Sequence, residues 1–221
     1  MRHKITASVL VAAGAVLAAC GTTAQQSAPE GTTTVEEFAA QLGRDYHADY
    51  DPLASPRQAV EKSDLIVRGT VEEVFDGIST SYPDKQRGAR SAGSYVTFRV
   101  SVDQVLSGPD AQIQGGTVYV QVAKAQSTPT DAVAKANPKP SAVLVLDDIT
   151  DWKPAPDATV HRPAGVPDGA RLYFAFTDGL WLQGAGDRAM VGTAAHREDL
   201  APDWGSPTGL DDLARAIENA R

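Results

Sequence analysis

The 221-residue chain predicts a β-rich α+β domain, with a small barrel of five to six strands, short helices before it and one helix after it. Three observations predict this class. From Leu65 onward apolar residues recur at every second position, most regularly at Val96, Phe98, Val100 and Val102. Gly69 interrupts the first long strand, and a mid-strand glycine marks the bulge or bend that lets a sheet curl towards closure. Helix-start signals, by contrast, occur only on the two flanks of this region.

The elements before the barrel begin with an export signal. Met1-Arg2-His3-Lys4 is a short basic region, and Ile5 to Leu17 is an apolar run of 13 residues broken only by Thr6 and Ser8. A spanning helix needs roughly 20 apolar residues, so this run has the length of a secretory signal instead. Leu17-Ala18-Ala19-Cys20-Gly21 then places small residues directly before the only cysteine. The pattern resembles the lipobox of bacterial lipoproteins, which implies that residues 1–19 are removed and that the Cys20 sulfur carries acyl chains of the palmitate type. Cys20 is thus expected to be a lipidation site and not a nucleophile. The expected address is the extracytoplasmic face of the cell membrane, held there by lipid. No thiol would remain for an intramolecular disulfide, so stability must come from a hydrophobic core.

Removing residues 1–19 takes away two basic residues and no acidic ones. The remaining 202 residues carry 18 basic and 28 acidic side chains, a net charge of −10. Such a chain repels phosphate backbones, so nucleic acid is not an expected partner. Residues 20–34 comprise the lipidated cysteine and a polar tether. Its 11-residue core, Gly21 to Gly31, would span about 18 Å as a random coil. Residues 35–221 then form one folded domain.

Val35 to Leu42 is a short helix, opened by a capping box of Thr33 with Glu36 or Thr34 with Glu37. Ser55-Pro56-Arg57-Gln58 starts a second helix that runs to about Lys62, with serine as N-cap, proline at the first position and glutamine at the third. Leu65 to Phe75 is a long strand, and Val96 to about Leu106 is a half-buried one. Val118, Val120 and Val122 repeat the alternation after Gly115-Gly116. Ala142 to Leu146, Leu172 to Phe176, Leu180 to Leu182 and Ala189 to Val191 complete the strand candidates, so the barrel occupies about 64–192. Residues 209–220 form the closing helix, capped by Thr208, with Leu210, Leu213 and Ile217 on one apolar stripe. Three connections, 76–93, 124–140 and 147–169, are long and polar. Loops of that length without structure of their own are usually functional or disordered.

Ser63-Asp64-Leu65-Ile66-Val67-Arg68-Gly69-Thr70-Val71, followed by Val100 to Gly108, Gly115 to Val122 and Gly169 to Phe176, resembles a pattern of bacterial extracytoplasmic proteins of unknown function. The abundance of alanine, glycine, aspartate and arginine points to a GC-rich, actinobacterial type of source. In that pattern "a-D-l-I-V-x-G-T-V" opens a strand, "V-x-V-L-K-G" closes the next, and "G-x-x-V-x-V" and "G-x-x-y-l-l-F" follow. The resemblance covers roughly residues 56–192 and implies an oligonucleotide/oligosaccharide-binding (OB) type of barrel. Its motifs are strand hydrophobics, and no catalytic residue is carried over with them. Metalloproteinase inhibitors of related architecture act through an N-terminal cysteine wedge, but here that position is taken by a lipid.

The remaining chemistry is sparse. No G-x-S-x-G elbow exists, and Gly205-Ser206-Pro207-Thr208-Gly209 has proline where an elbow would turn into its helix. The acidic constellation Asp147-Asp148-x-x-Asp151, with Asp157 and His161 downstream, has oxygen ligands suited to Ca²⁺, but a solvated turn at a strand end accounts for the same residues and is preferred. No metal or other cofactor is therefore expected. Trp152, Trp181 and Trp204 lie in or beside loops and short late strands. Tryptophans there either stack on sugar rings or peptides, or cap the core of the barrel. Tyr82, with Lys85, Arg87 and Arg90, forms a basic island on an otherwise acidic chain. The expected function is a non-catalytic binding or accessory module of the envelope with a protein or polysaccharide partner. The alternatives are an envelope enzyme or Ca²⁺-binding protein using carboxylates within 147–161, and a structural component of a membrane complex.

Overall fold

A computed structural model describes residues 33–42, 50–84 and 94–221, all within one compact unit, Thr32–Arg221. Cys20, Lys85, Arg87, Arg90 and His47 lie outside the described residues. Helix α1 (Val35–Leu42) opens with a reciprocal capping box: the Thr34 amide donates to Glu37 Oε2 at 2.9 Å, and the Glu37 amide donates to Thr34 Oγ1 at 3.2 Å. Helix α2 (Pro56–Lys62) is capped by Ser55, whose Oγ accepts the Gln58 amide at 3.1 Å. The Gln58 side chain reaches back to the Ala54 amide, one residue before the cap.

The strands are β1 (Leu65–Asp76), β2 (Ser79–Ser81), β3 (Tyr95–Ser107), β4 (Thr117–Ala123), β5 (Ser141–Asp148), β6 (Thr159–His161), β7 (Leu172–Gln183) and β8 (Val191–Gly192). The main sheet runs β4-β3-β1-β5-β7-β8 through antiparallel neighbours. It closes because β4 also pairs with β7, in parallel, over Tyr119–Gln121 against Leu172–Phe174. The result is a closed, mixed, five-stranded barrel with one extra strand, consistent with an OB-like barrel.

Three departures from the sequence expectation share one cause: tertiary contacts that local pattern does not encode. The connection 124–140 is not structureless but holds helix α3 (Thr130–Ala136), whose Val133 is fully buried in the barrel core. The two runs Leu172 to Phe176 and Leu180 to Leu182 form one bent strand, β7, because β5 pairs along both halves with a register shift between Leu144 and Leu146. The alternation in β4 does not give an exposed face. Tyr119 and Gln121 are as buried as their valine neighbours, since a second layer covers them.

The barrel interior is lined by Val67, Val71, Phe98, Val100, Val120, Leu144 and Tyr173. Phe38 of α1 stacks on Phe98 with ring centroids 5.8 Å apart, so α1 and α3 both contribute to this core. Burying one such phenylalanine stabilises the fold by about 1.5–3 kcal/mol. Outside the barrel, α2 and helix α4 (Leu210–Glu218) pack on Ile66, Val143, Val145 and Trp181. The expected stripe Leu210, Leu213 and Ile217 is all buried. The cap of α4 is Gly209 and not Thr208. Thr208 bonds to Asp212 Oδ2 instead, through its amide at 3.2 Å and its hydroxyl at 2.8 Å.

Gly69 sits at a register shift between β1 and β3, and a Cβ there would lie 2.1 Å from the Ser101 carbonyl oxygen. Gly69→Ala is therefore expected to lower unfolding free energy by about 3 kcal/mol, the upper range of overpacking costs. The urea midpoint of the purified variant checks this, and a midpoint equal to that of the parent would contradict the tight β1–β3 approach.

Candidate functional site

Because β1 and β5 are antiparallel, the β1–β3 and β5–β7 connections leave the barrel at opposite ends. They meet over the outer face of β3, β4 and β7. There β2 pairs with β6, with Thr80 opposite Val160, and Ser81 Oγ lies 2.8 Å from His161 Nε2. The outward residues beneath would face water in a bare barrel. Instead Ile78, Ile149, Val166 and Ala170 cover Tyr119 and Leu172.

Gln121 anchors this cover. It is 1% exposed, its Oε1 accepts the Ile78 amide at 2.8 Å, and its Nε2 donates to Thr97 Oγ1 at 3.0 Å. Thr97 in turn donates to the Asp76 carbonyl at 2.9 Å. Every polar atom of the pair on this path thus has a partner, as burial requires.

A cavity of about 300 Å³ lies within the β5–β7 cover, lined by Ile78, Thr150, Asp151, Trp152, Lys153, Thr159 and Arg162 among others. Arg162 is held at its rim by donating to the Ala170 carbonyl at 2.5 Å. Trp152 is half-buried, and its ring meets Phe174 edge-on at 5.3 Å. Phe174 in turn lies 5.3 Å from Tyr95, so three aromatic rings run across the face. They lead to a groove of about 170 Å³ lined by Tyr95, Gln121, Phe176, Leu180 and Thr193. The groove exists because β4 and β7 stay paired for only three residues before β7 bends away.

Of the residues singled out from sequence, Trp152 lies in this site. Tyr82 directly follows β2 and is half-buried. Trp181 and Trp204 do not belong to any open surface. They are 1% and 3% exposed in the core between barrel and helices. Their indole nitrogens are used internally, Trp181 Nε1 donating to the Asp178 carbonyl at 2.7 Å and Trp204 Nε1 to the Leu53 carbonyl at 2.6 Å. Phe174, Phe176 and Gln121 read as ordinary strand positions in sequence, and Tyr95 falls one residue before the strand expected from Val96. The available signal was that Tyr173 and Phe174 are both aromatic, so β7 carries a large ring on each face.

The acidic constellation does not converge either. Asp147 stands opposite Phe174 and Asp148 opposite Tyr173, so the two point to different sides of β5. Asp148 is engaged by Arg171 and by the Thr150 amide at 2.9 Å and hydroxyl at 2.6 Å. Among the described residues no three histidine, cysteine, aspartate or glutamate side chains are grouped to hold a metal ion.

Comparison with family models, curated proteins and solved structures yields no match for this chain. The functional reading therefore rests on geometry and sequence.

Asp147 and Asp148 respond oppositely to their surroundings. Burial, then the hydrogen bond to Asp64 and the charges of Asp64 and Asp148, push the Asp147 carboxyl above its ordinary value. Its contribution to stability is complete below the unfolded value and is lost as pH rises through the folded one. Burial also pushes Asp148 up, but the bonds from Thr150 and Arg171 outweigh it and hold the carboxyl below its ordinary value. Its contribution is present above the unfolded value and is lost as pH falls through the folded one. Asp147→Asn is expected to raise the urea midpoint at neutral pH, with the gain shrinking on acidification. Arg171→Met is expected to make acid unfolding begin at a higher pH. Urea titrations across pH check both, and shifts independent of pH would contradict this assignment.

Proposed function

We propose that this chain is a lipid-anchored, non-catalytic binding module of the bacterial envelope, held at the extracytoplasmic face through Cys20. Its OB-like barrel recognises an envelope polysaccharide across the Trp152 cavity. The observation that carries the reading is the cover over β3, β4 and β7. Two connections from opposite ends of the barrel are joined by β2 and β6 and tied down by Gln121, yet they leave a cavity with one half-buried tryptophan among hydroxyl, carboxylate and cationic groups. An aromatic face ringed by hydrogen-bonding groups suits a sugar, whose ring has apolar faces and a polar edge. Barrels of this type place ligands on this same face and its flanking loops. The basic residues Lys85, Arg87 and Arg90 belong to one of those connections by sequence, and on a chain of net charge −8 they favour an anionic polymer.

The anchor supports the same reading. Two acyl chains give stable membrane attachment, and an 11-residue tether of about 18 Å keeps the barrel near the membrane. Among the described residues no helix is long and apolar enough to cross a membrane. A protein partner is the second outcome that the same surface allows.

The test combines the two ends of the proposal. The full chain expressed in its envelope is expected to fractionate with membranes and to bind isolated cell-wall polysaccharide. Trp152→Ala is expected to weaken that binding about tenfold, the loss of one stacked anchor of about 1.4 kcal/mol, without leaving the membrane fraction. Cys20→Ser is expected to leave the membrane while retaining affinity. Polysaccharide binding unchanged by Trp152→Ala would overturn the site, and membrane fractionation unchanged by Cys20→Ser would overturn the anchor.

A further inference from the structure

The cations of the Trp152 cavity differ from others on the surface. Arg68, Arg99, Lys139, Arg171 and Arg215 each pair with a carboxylate. Arg162 and Lys153, which both line the cavity, form no ion pair among the described residues, although Asp151 lines it with them. On a chain of net charge −8, two cations left without an acid reverse the sign locally. Arg162 is nonetheless held in place, because its Nη2 donates to the Ala170 carbonyl. The turn that carries Trp152 is tied down two residues further on. There the Ile149 amide donates to the Leu172 carbonyl at 2.9 Å, and the Trp152 amide donates to the Ile149 carbonyl at 3.0 Å. The Thr150 hydroxyl accepts the Leu172 amide at 3.3 Å. Guanidinium and indole are thus fixed from anchors on one short stretch of chain, whose Cα atoms are at most about 7 Å apart.

That arrangement suits one ligand chemistry. A guanidinium has more N–H donors than a single bond to Ala170 uses, so an edge remains for a two-point contact with an oxyanion. Lys153 adds a second charge without a fixed geometry. The half-buried Trp152 ring offers a surface for the apolar face of a sugar, and Thr159 and Asp151 lie in the same lining for its hydroxyls. A neutral sugar would displace water from Arg162 without supplying a charge in return, a cost that an anionic sugar does not incur. Resting on the polysaccharide reading of this cavity, we infer that the sugar unit seated on Trp152 carries an anionic substituent, a carboxylate or a phosphate, and that Arg162 is the residue that reads it. Asp151 repels the same substituent and so limits how strongly the charge is favoured.

The experiment follows the Trp152 indole N–H by NMR in the full-length protein while methyl β-glucuronide, methyl β-glucoside and glucose 6-phosphate are titrated in turn. The uronide is expected to bind about tenfold more tightly than the glucoside, the worth of one hydrogen bond to a charged group. Arg162→Gln keeps a donor for the Ala170 carbonyl and is expected to bring the two probes to the same affinity. Asp151→Asn is expected to widen the preference, and added salt to narrow it. Glucose 6-phosphate binding more tightly than the uronide assigns the substituent to a phosphorylated polymer, and equal or weaker binding assigns it to a uronate. Equal affinities for uronide and glucoside in the unmodified protein, or a preference untouched by both Arg162→Gln and salt, would overturn this inference and leave the Trp152 sugar site standing. No saturable shift with any of the three probes would overturn both.

Discussion

Closure of the sheet along β4 and β7 is the constraint on which the other features depend. Only Tyr119–Gln121 and Leu172–Phe174 take part, yet without this parallel pairing both strands would present open edges of unpaired backbone groups. Closing there obliges β7 to serve two partners, β4 early and β5 along its length, and the strand bends between Phe174 and Leu180 to do so. The bend opens the groove beside Phe176. It also carries Asp178 from the barrel surface into the layer beneath the helices. Closure sets the core too, since Tyr173 reaches the interior only because β7 completes the wall.

A closed barrel this small still leaves the outward residues of β3, β4 and β7 to be covered. The chain covers them with residues of the β1–β3 and β5–β7 connections, which leave from opposite ends and meet as β2 and β6. Gln121 is the hinge of that arrangement, because one buried amide satisfies the Ile78 amide on one side and Thr97 on the other. The candidate site and the fold are thus built from the same residues. Phe174 belongs to the seam, to the aromatic row and to the wall of the groove beside Phe176.

Local chemistry made several parts legible in the sequence. The Thr34–Glu37 box, the Ser55-Pro56 start, the strand at Val96 to Leu106 and the stripe of Leu210, Leu213 and Ile217 all follow from contacts within a few residues or one face. Features that depend on a distant layer were not legible. Trp181 and Trp204 look like loop-side rings until α2, α4 and Leu53 cover them. Helix α3 hides in an alanine- and proline-rich stretch, since only the barrel gives Val133 something to bury against. The three-residue strands β2 and β6 have no periodicity of their own and exist through each other. The candidate site was half legible for the same reason: Trp152 stood out by type and place, whereas Tyr95, Phe174 and Gln121 gained meaning only once closure set them side by side.

The most direct measurement of the account is the seam itself. In NMR spectra of the full-length protein, cross-peaks between backbone protons of Tyr119–Gln121 and Leu172–Phe174 report the parallel pairing, and amide exchange reports its protection. The account predicts those cross-peaks, together with Val120 and Gln121 amides that exchange as slowly as those of the central strand β1. An absence of cross-peaks between these segments, with β4 amides exchanging at the rate of an exposed edge, would contradict closure and with it the placement of every site described above.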